Sequence, residues 1–120
     1  MASKMYILIR DDVDLGHAIL ASAHASLSGY LTFVESELNE QSERDRFVAL
    51  GNKTQTEIWA KESFRKVVCK VTPEEFEKSK TYDLVHRVMT ESGLGGMEVA
   101  IVFAPREEWP SFFKSLKLYK

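Results

Sequence analysis

Cysteine is almost absent from this sequence of 120 residues, which contains only Cys69. An internal disulfide needs two cysteines and a cysteine-based zinc site needs several, so both are excluded. Cys69 lies inside an apolar run, and nothing in the cysteine usage argues for secretion. Repeats, low-complexity segments and interdomain linkers are also missing. We therefore expect a single domain spanning residues 1–120, large enough to fold without a structural metal.

Long hydrophobic runs and strong net charge are lacking as well. No stretch reaches the roughly 20 apolar residues of a membrane span. The first apolar stretch ends in Arg10, Asp11 and Asp12, unlike the apolar region of a signal peptide. The formal net charge is -2, which supplies no overall attraction to nucleic acid but leaves local basic patches open. We expect a protein without a membrane segment, located in the cytoplasm.

The hydrophobic pattern predicts alternating strands and helices. Predicted strands cover residues 5–10, 66–71 and 97–104, with an edge strand in the tail 116–120. Predicted helices cover 15–38 after the N-cap Asp14, 43–50 after Ser42, 73–92 after the N-cap Thr72 with a break near Thr81, and 105–113. Residues 52–56 are predicted as a loop, and residues 93–96, Gly-Leu-Gly-Gly, as a helix stop.

This order of elements predicts the fold class. Strands that alternate with helices favour an α/β protein whose early strands are parallel. We expect a three-layer sandwich in which a mixed sheet of about four strands carries helices on both faces.

Three stretches, spread from one end of the chain to the other, carry a family resemblance. They are the strand ending in Arg10 with Asp12 and the following helix with Gly16-His17 and Ala23-His24-Ala25, the strand Arg65–Val71 with Trp59 upstream, and the closing Leu116-Lys117-Leu118. In this order and spacing they resemble the type 2 peptidyl-tRNA hydrolases. The tail Lys114–Lys120 is similar to that of a divergent branch, the peptidyl-tRNA hydrolase domain-containing proteins.

The resemblance implies a function and also exposes departures from the family. It implies hydrolysis of the ester in peptidyl-tRNA, without a cofactor. His17 stands where the family has a lysine thought to contact phosphate or assist hydrolysis, and Ala21 stands where it has a glutamine. The family's segment that supplies an acid and threonines has no counterpart between Gly93 and Met97. The expected active site is incomplete, so we expect hydrolase activity to be weak or absent.

Most candidate site residues lie at or after the end of the first strand, where α/β folds place ligands, and His17 is chosen because the resemblance matches it to the family's lysine. His17 and Asp12 are the candidate catalytic residues, with Asp12 or Asp14 able to orient the imidazole. The candidate substrate-binding residues are Arg10, Asp14, His24 and Lys66. Each candidate has a plainer alternative. His17 could be a solvated residue, and His24 a hydrogen-bonded core histidine. The three aspartates after the strand, Asp11, Asp12 and Asp14, could bind magnesium through water or could simply form a polar loop with one N-cap. His17 and His24 lie two turns apart, about 10 Å, so they cannot share one metal ion.

Partners can be inferred only in outline. A basic set could bind the phosphates of tRNA or of another ligand, or could equally protect sheet edges: Lys61, Arg65, Lys66, Lys70, Lys114, Lys117 and Lys120. A rival hypothesis is a non-catalytic binding module, as a homodimer formed through Trp109, Phe112 and Phe113 or an edge strand, although these aromatic residues are equally compatible with a core. A further rival is hydrolysis of another small ester or amide with His17 as the base.

Overall fold

The computed structural model describes residues 3–44 and 54–120 of the chain. Its elements in order are β1 (Lys4–Arg10), α1 (Leu15–Arg44), α2 (Gln55–Lys61), β2 (Arg65–Val71), α3 (Pro73–Ser79), β3 (His86–Glu91), β4 (Met97–Arg106) and α4 (Ser111–Lys114), with a 3-10 turn at Ser92–Leu94. No helix in these two ranges is both long and apolar enough to cross a membrane.

The strands form one sheet in the order β2-β1-β4-β3. β1 is parallel to β2 and antiparallel to β4, and β3 is antiparallel to β4. Five consecutive residues of β1, Met5–Ile9, are buried, as expected of a central strand covered on both faces. The predicted four-stranded mixed sheet with parallel early strands is confirmed, but its fourth strand is β3 and not the tail.

Helices cover both faces of this sheet, so the predicted three layers are present. α1 and α2 bury one face through Ala18, Ala21, Ala25, Phe33 and Trp59. The three alanines allow α1 to approach the strands closely. On the other face, α3 and α4 contribute Phe76 and Phe113 to a second apolar cluster. Trp109 and Phe113 are buried in that cluster, so the core interpretation of the C-terminal aromatic residues is correct and these two offer no dimer surface.

Several predicted boundaries are wrong. α1 begins at Leu15 as predicted but continues through Ser42 to Arg44, so Ser42 does not cap a separate helix. The rest of the predicted helix, 45–50, lies outside the described residues. Within the predicted loop 52–56, Thr54 instead caps α2 by a reciprocal hydrogen-bond pair with Glu57. The last helix begins at Ser111 and not at Pro105, because Pro105 belongs to β4.

The largest error concerns residues 80–92, which were predicted to be helical. α3 starts at Pro73 with the capping box of Thr72 and Glu75, as predicted in part, but it ends at Ser79. β3 then pairs with β4 through a turn in which Gly95 and Gly96 have φ of 68° and 82°, which glycine adopts without strain. The predicted edge strand of the tail is present as a single antiparallel bridge between Leu118 and Cys69.

Candidate functional site

The loop between β1 and α1 is held at both ends. The backbone N–H of Asp11 donates to the carbonyl of Val71 at 2.7 Å, which ties the loop to the end of β2. The side chain of Val13 is buried in the core beneath α1. The remaining residues of the loop, Asp11, Asp12 and Asp14, are therefore exposed at the carboxyl end of β1, where ligands bind in folds of this class.

Asp14 serves both as the cap of α1 and as the partner of His17. One carboxylate oxygen accepts the backbone N–H of His17 at 3.2 Å, and the carbonyl of Asp14 accepts the N–H of Ala18 at 2.9 Å. The predicted N-cap is therefore confirmed. The other carboxylate oxygen lies 2.6 Å from Nδ1 of His17. This hydrogen bond to the imidazole lowers the pKa of Asp14 below its usual value.

The tautomer of His17 follows from this geometry. Since Asp14 remains ionised, its oxygen can only accept, so Nδ1 of His17 carries the proton and donates it. In the neutral imidazole, Nε2 is then the atom with a free lone pair. His17 is about one-third exposed, so Nε2 is a base within reach of solvent.

The turn between β3 and β4 lies opposite this base. A Cβ atom added to Gly93 would lie 3.5 Å from Nε2 of His17 and 3.3 Å from Oε1 of Glu91. The same Glu91 oxygen accepts the N–H of Gly93 at 3.0 Å. Because Gly93 has no side chain, no atom of this residue fills the position that lies within 3.5 Å of both the imidazole and the carboxylate.

Arg10 and Asp12 form a second pair beside the first. Nε and one terminal nitrogen of Arg10 donate to the two carboxylate oxygens of Asp12 at 3.0 and 2.6 Å. These hydrogen bonds lower the pKa of Asp12 and raise that of Arg10. The carboxylate of Asp12 is therefore paired with Arg10. Of the two aspartates that the sequence offered as partners of His17, Asp14 is the one that forms a hydrogen bond with the imidazole.

His24 and Lys66 do not join this group. His24 is exposed on α1, two turns beyond His17, so the interpretation as a core histidine is wrong. Lys66 pairs in register with Met5 whereas Val71 pairs with Arg10, which separates it from the site by about 16 Å along β2. Its ammonium lies 3.1 Å from the ring centroid of Phe64, an exposed residue at a φ of 51°.

A polar cavity of about 540 Å³ opens on the β2 side of the same sheet edge, and two lysines of the predicted basic set line it. It is lined by Asp11, Lys70, Thr72, Glu75 and Lys117. Lys117 reaches it because the tail runs beside β2, where the N–H of Lys70 donates to the carbonyl of Lys117 at 2.9 Å. Two lysines from distant parts of the sequence therefore meet next to Asp11.

Glu91 and Gly93 are the other site residues that the sequence did not reveal. Their positions depend on β3, which the pattern predicted as helix, so no sequence signal placed them opposite His17. Across residues 3–44 and 54–120, no three histidine, cysteine, aspartate or glutamate side chains converge as metal ligands would. Comparison with protein-family models matches no family to this chain, and comparison with curated proteins finds no match either.

Proposed function

We propose that this protein is a slow ester hydrolase of the type 2 peptidyl-tRNA hydrolase kind, with that family's fold and a cytoplasmic location. The observation that carries the proposal is the Asp14–His17 pair, 2.6 Å apart, with Nε2 facing the side-chain-free Gly93. The resemblance in the three stretches supplies the substrate class, the ester between a peptide and the terminal ribose of tRNA.

The geometry supports general-base catalysis. A water in the space beside Gly93 gives its proton to Nε2 of His17 as its oxygen attacks the ester carbonyl carbon. The carboxylate of Asp14 stabilises the imidazolium that forms, and the imidazolium then returns the proton to the departing ribose oxygen. The C–O ester bond breaks, and the products are the free peptide acid and tRNA. His17 therefore takes over a place that holds lysine in the family.

The same turn gives a reason for a slow reaction. The N–H groups of Gly93, Gly95 and Gly96 donate to Glu91 Oε1 and to the carbonyls of Ser92 and Glu91. These amides are occupied and cannot stabilise an oxyanion without breaking the turn. A general base contributes roughly 10²–10⁴-fold, and loss of one oxyanion donor costs roughly 10²–10³-fold. We expect a rate above that of the uncatalysed reaction by no more than about 10⁴-fold.

Lys70 and Lys117 are the groups that we assign to the tRNA backbone. They line the polar cavity at the same sheet edge as Asp11, whereas the guanidinium of Arg10 is held by Asp12. Because the carboxylates of Asp11 and Glu75 line the same cavity, the two lysines provide only a weak, salt-sensitive contact with phosphates.

The test is hydrolysis of a purified N-acetyl-aminoacyl-tRNA by the unsubstituted chain and by His17→Ala. Turnover that disappears in His17→Ala supports the proposal. Turnover that survives the substitution refutes His17 as the base. Without any turnover, the second candidate applies, a module that binds tRNA without cleaving it, which the occupied turn amides favour.

A further inference from the structure

α1 has apolar residues on two opposite faces, and only one of them meets the sheet. Leu20, Leu27, Leu31 and Leu38 are between 44% and 64% exposed. At 3.6 residues per turn they fall within roughly 40° of one another, opposite the buried alanines. We call these four side chains the leucine stripe. Residues 15–34 of the same helix include no aspartate, glutamate, lysine or arginine.

Grooves run along both sides of the stripe. One is a cavity of about 430 Å³ with Tyr30, Trp59 and Phe64 in its walls. The other, about 480 Å³, is lined in part by Leu31, Arg87 and Met89. Leu27 borders both cavities, so the stripe is a ridge between two grooves. A ridge of side chains on one helix packs into a groove beside another, and a surface that has both fits a copy of itself.

We propose that the leucine stripe is the interface of a homodimer in which the α1 helices of two copies pack antiparallel. The spacing of the stripe is the same in both directions, with steps of seven, four and seven residues. Reversal about its midpoint therefore places Leu20 of one copy opposite Leu38 of the other, and Leu27 opposite Leu31. An antiparallel two-fold interface requires this kind of self-complementarity.

Charge favours a second copy over nucleic acid as the occupant of the stripe. Nucleic acid binds through cations. Residues 15–34 have no lysine or arginine, and among the described residues that line the two grooves Arg87 is the single one, whereas interface cores are depleted of charge. Glu35 is exposed where the uncharged stretch ends. In an antiparallel pair, Glu35 of each copy lies next to Ala23 and His24 of the other, so it meets no like charge.

The size of the surface agrees with a dimer. The stripe spans 18 residues, about 27 Å at 1.5 Å per residue. With one neighbouring element on each side, at spacings of about 8–10 Å, the surface is about 25 Å wide and covers roughly 700 Å². Stable interfaces bury about 800 Å² per partner. The inference does not depend on the proposed hydrolase function, because the residues of the stripe lie outside the His17 site.

Sedimentation equilibrium tests the dimer itself. At roughly 100 μM, where a complex with micromolar Kd is fully formed, we expect a mass twice 13.7 kDa. Leu27→Glu is expected to halve that mass with an unchanged circular dichroism spectrum, and Val85→Glu, at an equally exposed residue outside the stripe, to retain it. The proposal is overturned if the unsubstituted chain is a monomer, which would leave the stripe to a different occupant. It is also overturned if Leu27→Glu is folded and still a dimer.

Disulfide trapping tests the orientation. The native Cys69 is buried and does not interfere. Under mild oxidation, a mixture of Leu20→Cys and Leu38→Cys is expected to form a cross-linked dimer, whereas each variant alone forms none. If each variant alone forms the cross-linked dimer, and the mixture forms no more of it than the single variants do, the pair is parallel and the antiparallel interface is contradicted.

Discussion

The carboxylate of Asp14 contacts Nδ1 of His17 at 2.6 Å and also accepts the backbone N–H of the same residue. One side chain therefore starts α1 and orients the imidazole. Because the two roles use different oxygens, they can be separated by substitution.

Asp14→Asn is expected to reduce hydrolysis without reducing stability. Asparagine caps helices as well as aspartate, but its amide neither stabilises the imidazolium nor enforces the tautomer. The same change in a buried triad costs about 10⁴-fold; since Asp14 is exposed, we expect roughly tenfold. The measurement is the initial rate of ester hydrolysis together with the thermal midpoint. Asp83→Asn, exposed and distant in the chain, is the matched control, and equal rates for the two variants would contradict the role of Asp14.

Gly93→Ala is expected to abolish hydrolysis while the fold is retained. Gly93, unlike Gly95 and Gly96, does not require a positive φ, so alanine suits the backbone. Its methyl group would lie 3.5 Å from Nε2 of His17, in the space assigned to the attacking water. Ser92→Ala, an exposed change in the same turn, is expected to keep its rate. A fully active, folded Gly93→Ala would show that water approaches His17 from elsewhere.

Replacement of Lys70 and Lys117 by alanine is expected to weaken tRNA binding and its dependence on salt. Each phosphate contact contributes about 0.7–0.9 to the slope of log K against log salt, so the double variant should lose a slope of about 1.5. Binding measured across a salt series checks this. The same double replacement at Lys4 and Lys61, outside the cavity, serves as the control; a slope that does not differ between the two variants rules out the cavity as the phosphate site.

Cys69 is expected to resist thiol reagents in the folded protein. Burial, together with the charge of Glu75, raises the pKa of its thiol to about 11. Because the folded pKa lies above the unfolded value of about 9, the neutral thiol favours the folded state below pH 9, and this contribution is lost as the pH rises towards 11. Denaturant titrations across that range are expected to show a loss of stability that is smaller in Cys69→Ala. Rapid, complete labelling of the native protein at pH 7 would contradict the buried environment.

The sequence predicted the central sheet well, because β1 and β2 are short apolar runs whose neighbours break the pattern sharply. It failed at β3, His86–Glu91, which is an edge strand with few apolar residues and is held by its pairing with β4. The failure carried over to the site. Asp12 and Asp14 were predicted from their place after β1, and His17 from its match to the family's lysine. Glu91 and Gly93 depend on β3. The choice of Asp14 over Asp12 as the partner of His17 depends on the bidentate contact of Arg10 with Asp12.

The central claim is that His17 is a working base. The most direct measurement is the single-turnover rate of N-acetyl-aminoacyl-tRNA hydrolysis by the unsubstituted chain and by His17→Ala, with tRNA binding measured in parallel. The account predicts slow hydrolysis that falls to the uncatalysed rate in His17→Ala, while binding of tRNA is unchanged. Equal rates for the two proteins, with both folded and binding tRNA, would contradict it.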